Sequence, residues 1–277
     1  MTTGINAEAI RARAAILGGV RAWFVRQGYL EVHTPCIVPS PALEEHLEAV
    51  EIPGHGFLHT SPEFALKRVL AEGLGRIYQI GPCFRLEESG EHHSLEFTML
   101  EWYRVGAGTA ELMDETEDLI GAAAEAVGRP RPRFSRRAVA SLLRPDLAPD
   151  DWFYQWVDQI EPTLVEPTIV HGYPPWQAAL ARLRGDVADR FEVYLGGVEL
   201  ANAFAEESSS AEIRRRWVAD NAARVRAGSA PHAIDEPFLA AVDRMPRCAG
   251  IALGIDRLVM ALTGATDIAD VQVSRPG

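Results

Sequence analysis

The chain has 277 residues, of which 47% are hydrophobic, so it is long enough to bury a substantial core as one domain or as a core with an insertion. Its 39 acidic residues against 27 basic ones give a formal net charge of -12, which disfavours non-specific binding to a nucleic acid. The N-terminal residues lack the apolar segment of a signal peptide, and no apolar run is long enough to span a bilayer. We therefore expect a cytoplasmic protein without membrane contact.

The three cysteines are odd in number and far apart, which favours reduced thiols over a disulfide framework. No pair has the CxxC spacing typical of structural zinc. A run of arginines between positions 129 and 137 could contact RNA, but a solvated linker paired with nearby acids is the favoured interpretation.

Residues 8–27 place apolar side chains at helical spacing before Gly28, which predicts an opening amphipathic helix. The next segment, YLEVHTPCIV, is rich in strand formers and is interrupted at Pro35, so it belongs at a sheet edge or boundary, where it could meet another subunit. Ser61 and Pro62 then predict the start of a second helix, since serine favours the cap and proline the first helical position.

Two strand-like runs, at 76–84 and 97–103, flank the charged segment RLEESGEHHSLE and predict a hairpin with a long tip. Side-chain alternation in the second strand places Glu101 on the same face as Tyr103. This acid and phenol could bind an ammonium group. An exposed glutamate beside a tyrosine at the core margin is an equally weighted alternative.

The pattern from 109 to 127 predicts a helix, and the proline-interrupted segment at 135–190 reads as a less regular insertion. Two strands follow within FEVYLGGVELANAF. Helices are predicted at 208–226 and 235–245, and GIALG followed by LVMAL closes the chain as a strand and a helix.

Four charged residues could act on a nucleotide. Arg85 and Glu87 lie at the hairpin tip, where a guanidinium could clamp a phosphate, although a surface ion pair is the more ordinary interpretation. Glu199 and Glu206 lie in the apolar run VELANAFAEE, where buried carboxylates need a cation such as magnesium or a nearby arginine. Shared binding of one ion requires a bend or bulge after Asn202.

Gly254 is predicted to end the last strand, with Arg257 in the first turn of the following helix, where its side chain could reach back over the sheet. The alternative is a tight turn in which Asp256 caps the helix. His92 and His93 could bind metal, but adjacent histidines point apart, so a solvated loop is the favoured interpretation.

In chain order, Pro35, FRLEE with EFTMLEWYR, VELANAF and GIALGIDRL resemble the three motifs of the class II aminoacyl-tRNA synthetases and the acidic strand before the third. The resemblance covers nearly the whole chain. Within that class, TSPEFALKRVL, LEFTMLEWYR and ELANAF are similar to the lysyl branch, and most similar to the elongation factor P (R)-β-lysine ligases, which lack the anticodon-binding domain. The resemblance implies an α+β fold: one catalytic domain over 1–277, with a mainly antiparallel sheet flanked by helices.

The same resemblance implies ATP-dependent activation of lysine or (R)-β-lysine as an acyl-adenylate and transfer to a lysine of a protein acceptor, elongation factor P. It also implies Mg²⁺, a homodimer formed through residues 10–40, and no role for tRNA. The residues carried over to ATP binding are Arg85, Glu87, Glu199, Leu200, Gly254 and Arg257, with Arg85 and Arg257 also catalytic. Those carried over to the lysine-like substrate are Ser61, Pro62, Glu63, Glu101, Tyr103 and Glu206, with Glu101 reading the distal amine. The expected magnesium ligands are Glu199 and Glu206.

Leu86 and Ser94 stand where the family pattern has asparagine, and Ala252 stands where lysyl-tRNA synthetases usually have glycine and the β-lysine ligases alanine. Two alternatives follow: a related ligase with a tRNA, carrier-protein or small-molecule acceptor, and a non-catalytic paralogue that only binds. Retention of the charged residues argues against the paralogue. If the chain is an enzyme of this kind, four side chains should line one cleft: Arg85, Glu199, Glu206 and Arg257.

Overall fold

A computed structural model of the chain describes residues 6–41, 47–86, 90–144 and 146–273. Glu87, expected to contact ATP, lies outside these residues. Within them, no helix combines the length and the apolar character needed to cross a membrane.

The helices and strands lie close to the predicted positions. The helices of the described residues are α1 (Ala7–Arg26), α2 (Glu63–Ala71), α3 (Thr109–Ala126), α4 (Pro149–Gln155), α5 (Ser210–Arg226), α6 (Glu236–Val242) and α7 (Ile255–Thr263). The strands are β1 (Leu30–Glu31), β2 (Ile37–Val38), β3 (Glu51–Ile52), β4 (Gly56–Leu58), β5 (Arg76–Phe84), β6 (Glu96–Val105), β7 (Ser135–Ala138), β8 (Thr168–Tyr173), β9 (Leu183–Arg184), β10 (Val187–Leu195), β11 (Val198–Ala205) and β12 (Cys248–Gly254). The mixture confirms the predicted α+β class.

One large sheet organises the chain, in the strand order β1-β5-β6-β12-β11-β10-β8-β7, with β9 beside β10. Its neighbours are antiparallel except at the two ends, where β1 pairs with β5 and β7 with β8 in parallel. A separate small sheet has the order β2-β4-β3. The central strands of the large sheet are therefore long antiparallel neighbours, as predicted from the hairpin.

Helices α1, α3 and α7 cover one face of this sheet and form the main core with it. Phe24 of α1 stacks on Tyr78 of β5 with ring centroids 4.0 Å apart, and contacts Trp102 of β6 edge-on. Since side chains alternate along a strand, the residues between these core positions point to the opposite face. That second face is where the polar residues of β5, β6 and β11 gather.

Asp256 ties α7 to the rest of the fold instead of capping it. Its carboxylate accepts hydrogen bonds from Arg13 Nη1 at 2.7 Å and from the Thr98 amide at 2.6 Å, and the cap position of α7 is Gly254, which has no side chain to do so. The alternative of a helix cap is therefore wrong. The buried carboxylate instead fixes α1 and β6 beside the first turn of α7.

The predicted irregular insertion at 135–190 is narrower than expected, because β7, β8 and the first part of β10 join the large sheet. Short helical turns surround α4 between Val139 and Thr163. They pack on a small core of their own, in which Trp152 and Trp156 stack with centroids 4.9 Å apart.

The predicted irregularity in β11 exists but lies earlier than expected. Pairing with β10 steps from Ala201 to Glu199 and skips Leu200, so Leu200 is the extra residue of a bulge. The predicted position after Asn202 is wrong, since pairing with β12 is regular through that residue. The bulge lets Glu199 share the cavity-facing side of β11 with Asn202 and Glu206.

Candidate active site

A cavity of about 1030 Å³ lies on the face of the sheet opposite the main core. Its floor comes from β6, β10, β11 and β12, and its walls from α2, α5 and the segment around α4 and β8. Arg85, Glu199, Glu206 and Arg257 all line it, as the predicted cleft requires. So do the following predicted residues: Ser61, Glu63, Glu101, Tyr103, Leu200 and Gly254. Pro62, which was also expected to contact the substrate, is not among the lining residues; it is buried at the N-terminal cap position of α2.

One end of the cavity is an acidic cup, defined here by Glu63, Glu101 and Glu206 with their hydrogen-bonding neighbours. Ser61 Oγ donates to Glu101 Oε2 at 2.7 Å, and Tyr103 OH donates to Glu101 Oε1 at 2.5 Å. Burial, reinforced by the nearby Glu63, raises the pKa of Glu101 to about 8 despite these two hydrogen bonds. The cup therefore holds an oriented carboxyl group whose ionisation is disfavoured by burial.

Lys67 of α2 lies between the other two acids of the cup. Its Nζ is 2.6 Å from Glu63 Oε1 and 2.6 Å from Glu206 Oε2. Burial alone would lower the pKa of Lys67, but ion pairing with Glu206 and Glu63 outweighs it and raises that pKa. Burial also raises the pKa of Glu206 to about 7, against the attraction of Lys67. When every group is ionised, three carboxylates face one ammonium, and negative charge is in excess.

Gly250 of β12 makes room for the cup. It pairs with Tyr103 across the sheet, and a Cβ at this position would lie 2.2 Å from Tyr103 Cε1 and 2.5 Å from Glu206 Oε1. Any side chain would displace both groups. The sequence pointed to Gly254 and Ala252 in the same strand. Ala252 lines the cavity and pairs with Glu101 across the sheet. A Cβ at Gly250 would lie closer to its neighbours than a Cβ at Gly254 would.

The other end of the cavity is basic. Arg257 reaches back over the sheet, as predicted, and donates from Nη1 to the carbonyl oxygen of Glu199 at 2.9 Å. Its Nη2 lies 2.7 Å from His93 Nε2. The guanidinium of Arg85 lies over the Phe97 ring, 5.2 Å from its centroid. His93 thus lies against the arginine and lines the cavity, contrary to the solvated loop that its sequence context favoured.

Glu192 of β10 is the acid that interacts with Glu199. Burial raises the pKa of Glu199 to about 8, and the charge of Glu192 adds to that rise while Arg257 opposes it. Glu192 accepts hydrogen bonds from Tyr173 and Tyr194, each at 2.5 Å, and pairs with a neighbouring arginine. The sequence did not point to Glu192 as a site residue, because the residues around it have the pattern of a buried strand.

The predicted magnesium site shared by Glu199 and Glu206 does not fit this arrangement. The two residues lie at opposite ends of β11, and seven steps along a bulged strand separate their backbones by about 20 Å. Glu206 is paired with Lys67 instead. Among the described residues no group of three or more His, Cys, Asp or Glu side chains is placed to hold a metal. Glu192 and Glu199 are close enough for the charge of Glu192 to raise the pKa of Glu199.

Comparison with known proteins decides the family. The model of the class II tRNA synthetases for aspartate, lysine and asparagine (D, K and N) matches residues 2–273. The chain belongs to the class II tRNA synthetases. Relatives of this class II synthetase include proteins named elongation factor P–(R)-β-lysine ligase. The one from Vibrio vulnificus strain YJ016 is 38% identical over 95% of this chain and 94% of its own length. Those from Proteus mirabilis strain HI4320 and Salmonella gallinarum strain 287/91 / NCTC 13346 are 38% and 36% identical, each over 94% of this chain and 92% of the relative.

These matches confirm the predicted resemblance and the predicted fold class. Class II synthetases activate amino acids with ATP, so the predicted enzyme class, an ATP-dependent amino-acid ligase, is confirmed as well. In this class II synthetase the cavity joins a basic end to an acidic one. It is therefore suited to a ligand that carries phosphates at one end and ammonium groups at the other.

The arginine run at 129–137 lies outside this site in the class II synthetase. Arg131 pairs with Asp118 and Glu125, and Arg136 pairs with Asp114 at 2.5 Å and Glu117 at 2.7 Å. These contacts agree with the linker interpretation, in which nearby acids neutralise the arginines.

Proposed function

We propose that this chain activates (R)-β-lysine or lysine with ATP and transfers the resulting acyl group to a lysine of elongation factor P. The names of the relatives support the acceptor and the β-amino acid. The observation that carries the proposal is the single cavity that contains both the cup around Glu101 and the two arginines, Arg85 and Arg257.

The acidic cup accounts for a lysine-like substrate. Glu63, Glu101 and Glu206 outnumber Lys67, and both lysine isomers carry two ammonium groups besides the carboxylate. A buried carboxylate without a cation is costly, so a substrate that brings two cations gains from neutralising the excess. Glu101, held at both oxygens, is suited to the distal amine, and Glu206 to the other.

Activation requires no side-chain nucleophile. A substrate carboxylate oxygen attacks the α-phosphorus of ATP, a P–O bond forms, and the bond to the bridging oxygen breaks so that pyrophosphate leaves. Arg85 and Arg257 are placed to neutralise the charge that develops on the phosphoryl oxygens. Since Arg257 is fixed by Glu199 O and His93, it is oriented before the nucleotide arrives.

Transfer is the second step. The uncharged amine of an acceptor lysine attacks the acyl carbon of the adenylate, an amide bond forms, and AMP leaves with the electron pair of the broken C–O bond. The proton lost by the amine passes to solvent or to AMP. The part of the enzyme in this step is to hold the adenylate between the cup and the arginines, so that its carbonyl faces the opening of the cavity.

Magnesium fits the end of the cavity near Glu192 and Glu199. Carboxylate oxygens are the ligands it prefers, and the raised pKa of Glu199 indicates a carboxylate short of positive charge. When bound, the ion supplies charge neutralisation for the triphosphate. Glu206 is not proposed as a ligand of this ion, because its backbone lies about 20 Å from that of Glu199 along β11.

The segment 10–40 is proposed to form a homodimer interface. Val25, Leu30 and Ile37 in this segment are exposed apolar side chains, and β1 is a two-residue strand at the edge of the sheet. The net charge of -12 favours a protein acceptor over tRNA. Because that acceptor is a translation factor, we place the reaction in the cytoplasm.

Amino-acid-dependent exchange of labelled pyrophosphate into ATP tests activation, and transfer of labelled β-lysine to purified elongation factor P tests the acceptor. We expect (R)-β-lysine to support exchange, whether or not α-lysine does so too, and we expect the label on elongation factor P. Absence of exchange with every lysine isomer would favour the alternative in which the chain is a non-catalytic paralogue. Exchange with label on tRNA, and none on elongation factor P, would contradict the acceptor alone.

A further inference from the structure

An exposed apolar patch surrounds part of the cavity opening. We define the aromatic mouth as Phe153, Tyr154, Val157 and Trp176, whose exposed fractions are 57%, 64%, 40% and 45%. Three of them, all except Tyr154, also line the cavity. The patch is thus continuous with the space in which the adenylate forms, and it lies where a second substrate has to enter.

The patch rests on a rigid support. Below it Trp152 and Trp156 are buried and stacked with an interplanar angle of 6°, and Trp176 meets Trp152 edge-on with centroids 5.5 Å apart. Large aromatic rings on a packed base are the residues that dominate protein–protein contacts, because little conformational entropy is lost on binding.

The surroundings of the aromatic mouth are acidic. Between positions 145 and 181 the sequence has no lysine or arginine, and α4 with its flanking turns exposes Asp150, Asp151 and Asp158. The acids of this segment are Asp146, Asp150, Asp151, Asp158, Glu161 and Glu166. A surface of this composition attracts a basic segment and repels a phosphate backbone.

Part of the cavity lining comes from α5, which contributes Arg215 and Arg216. Both donate to Glu212, and Arg216 also donates to the carbonyl oxygens of Ala179 and Ala181. These guanidinium groups are committed to contacts within the chain, so they offset the acidity of the α4 side only in part.

We infer that the aromatic mouth is the docking surface for the protein acceptor and takes a basic segment that carries the modified lysine. The inference rests on the proposed function and names where its acceptor binds. To reach the acyl carbon, the acceptor lysine has to cross this opening. Its aliphatic stem then packs on the rings of Phe153 and Trp176, while neighbouring basic residues face the acids of α4.

Tyr154→Ser tests the surface, with Val225→Ser as the matched control, because Tyr154 is the member of the aromatic mouth that does not line the cavity. Val225 is 57% exposed against 64% for Tyr154, and it lies near the end of α5 and away from the cavity. Pyrophosphate exchange with (R)-β-lysine is measured without acceptor, and the KM for elongation factor P is measured in the transfer reaction. Loss of one aromatic contact should raise that KM by about tenfold and leave exchange unchanged. The control should alter neither.

Asp150→Lys combined with Asp151→Lys provides a second test that leaves the rings intact. We expect the KM for elongation factor P to rise, and its dependence on salt to weaken, with exchange again unchanged. An unchanged KM in the Tyr154 variant would overturn the docking surface, and so would an equal effect of Val225→Ser. Absence of exchange in the wild-type protein would instead refute the proposed function.

Discussion

The ammonium group of Lys67 lies 2.6 Å from Glu206 Oε2, and both side chains are 1% exposed. The two residues come from α2 and from the end of β11, so the contact joins a wall of the cavity to its floor. The same ammonium lies 2.6 Å from Glu63, which makes Lys67 the common partner of two carboxylates in the acidic cup.

Lys67→Met should destabilise the protein strongly. Removing one member of a buried ion pair leaves an uncompensated charge, at a cost of about 3–5 kcal/mol. Here two carboxylates lose their partner, so the upper part of that range is expected. The free energy of unfolding from urea denaturation measures the effect. Arg21→Met is the control, because the Arg21–Glu31 pair is solvent-accessible and its loss should cost less than about 1 kcal/mol. Similar costs for the two variants would contradict a structural role for Lys67.

Gly250→Ala should disturb substrate binding as well as stability. The added Cβ would overlap Tyr103 and Glu206, so the cup has to open, at a cost of about 1–3 kcal/mol. We expect a higher KM for the amino acid in pyrophosphate exchange and a smaller change in the KM for ATP. Gly18→Ala in α1 is the control, since a Cβ there has no neighbour within 4 Å and alanine favours a helix. Equal KM values in wild type and Gly250→Ala would show that the cup tolerates the extra atom.

The local patterns of the sequence predicted the hairpin and the faces of its residues because side chains alternate with a period of two. That period alone placed Glu101 beside Tyr103, and both line the cavity. Lys67 escaped detection because one of its partners, Glu206, is remote in sequence, although its i,i+4 spacing from Glu63 was visible. The bulge was misplaced for a different reason. Leu200 and Ala201 are both apolar and both buried, so the pattern does not reveal which residue is the extra one.

Glu101 predicts a pH dependence of amino-acid binding. Its pKa in the free protein is about 8, so the carboxyl group is largely protonated below that pH and cannot pair with an ammonium group. As the pH rises through about 8, the carboxylate forms and the KM for (R)-β-lysine should fall, until the substrate amine itself loses its proton near about pH 10. Exchange kinetics at several pH values measure this. In Glu101→Gln the KM should be high and should lose most of this dependence. If the KM of Glu101→Gln fell with rising pH as it does in the wild type, the pH dependence would arise from another group.

Substitution of Glu192 or Glu199 should change the magnesium dependence of exchange, whereas substitution of Glu206 should change its amino-acid dependence. Because Glu192 and Glu199 adjoin each other at the basic end, Glu192→Gln and Glu199→Gln should each raise the Mg²⁺ concentration needed for half-maximal exchange. Loss of a metal ligand or its partner commonly weakens affinity by about 10–100-fold. Glu206→Gln should leave that concentration nearly unchanged and raise the KM for (R)-β-lysine, because Glu206 lies in the acidic cup with Lys67.

The measurement is a Mg²⁺ titration of pyrophosphate exchange at saturating amino acid, repeated with the amino acid varied at saturating Mg²⁺. Glu212→Gln is a suitable control, because Glu212 is an acid of α5 that pairs with Arg215 and Arg216 outside both clusters. A Mg²⁺ requirement raised equally by Glu199→Gln and Glu206→Gln would restore a site shared by those two residues. It would also require β11 to bend far more than its pairing with β12 allows, because that pairing continues without a break from Ala201 to Ala205.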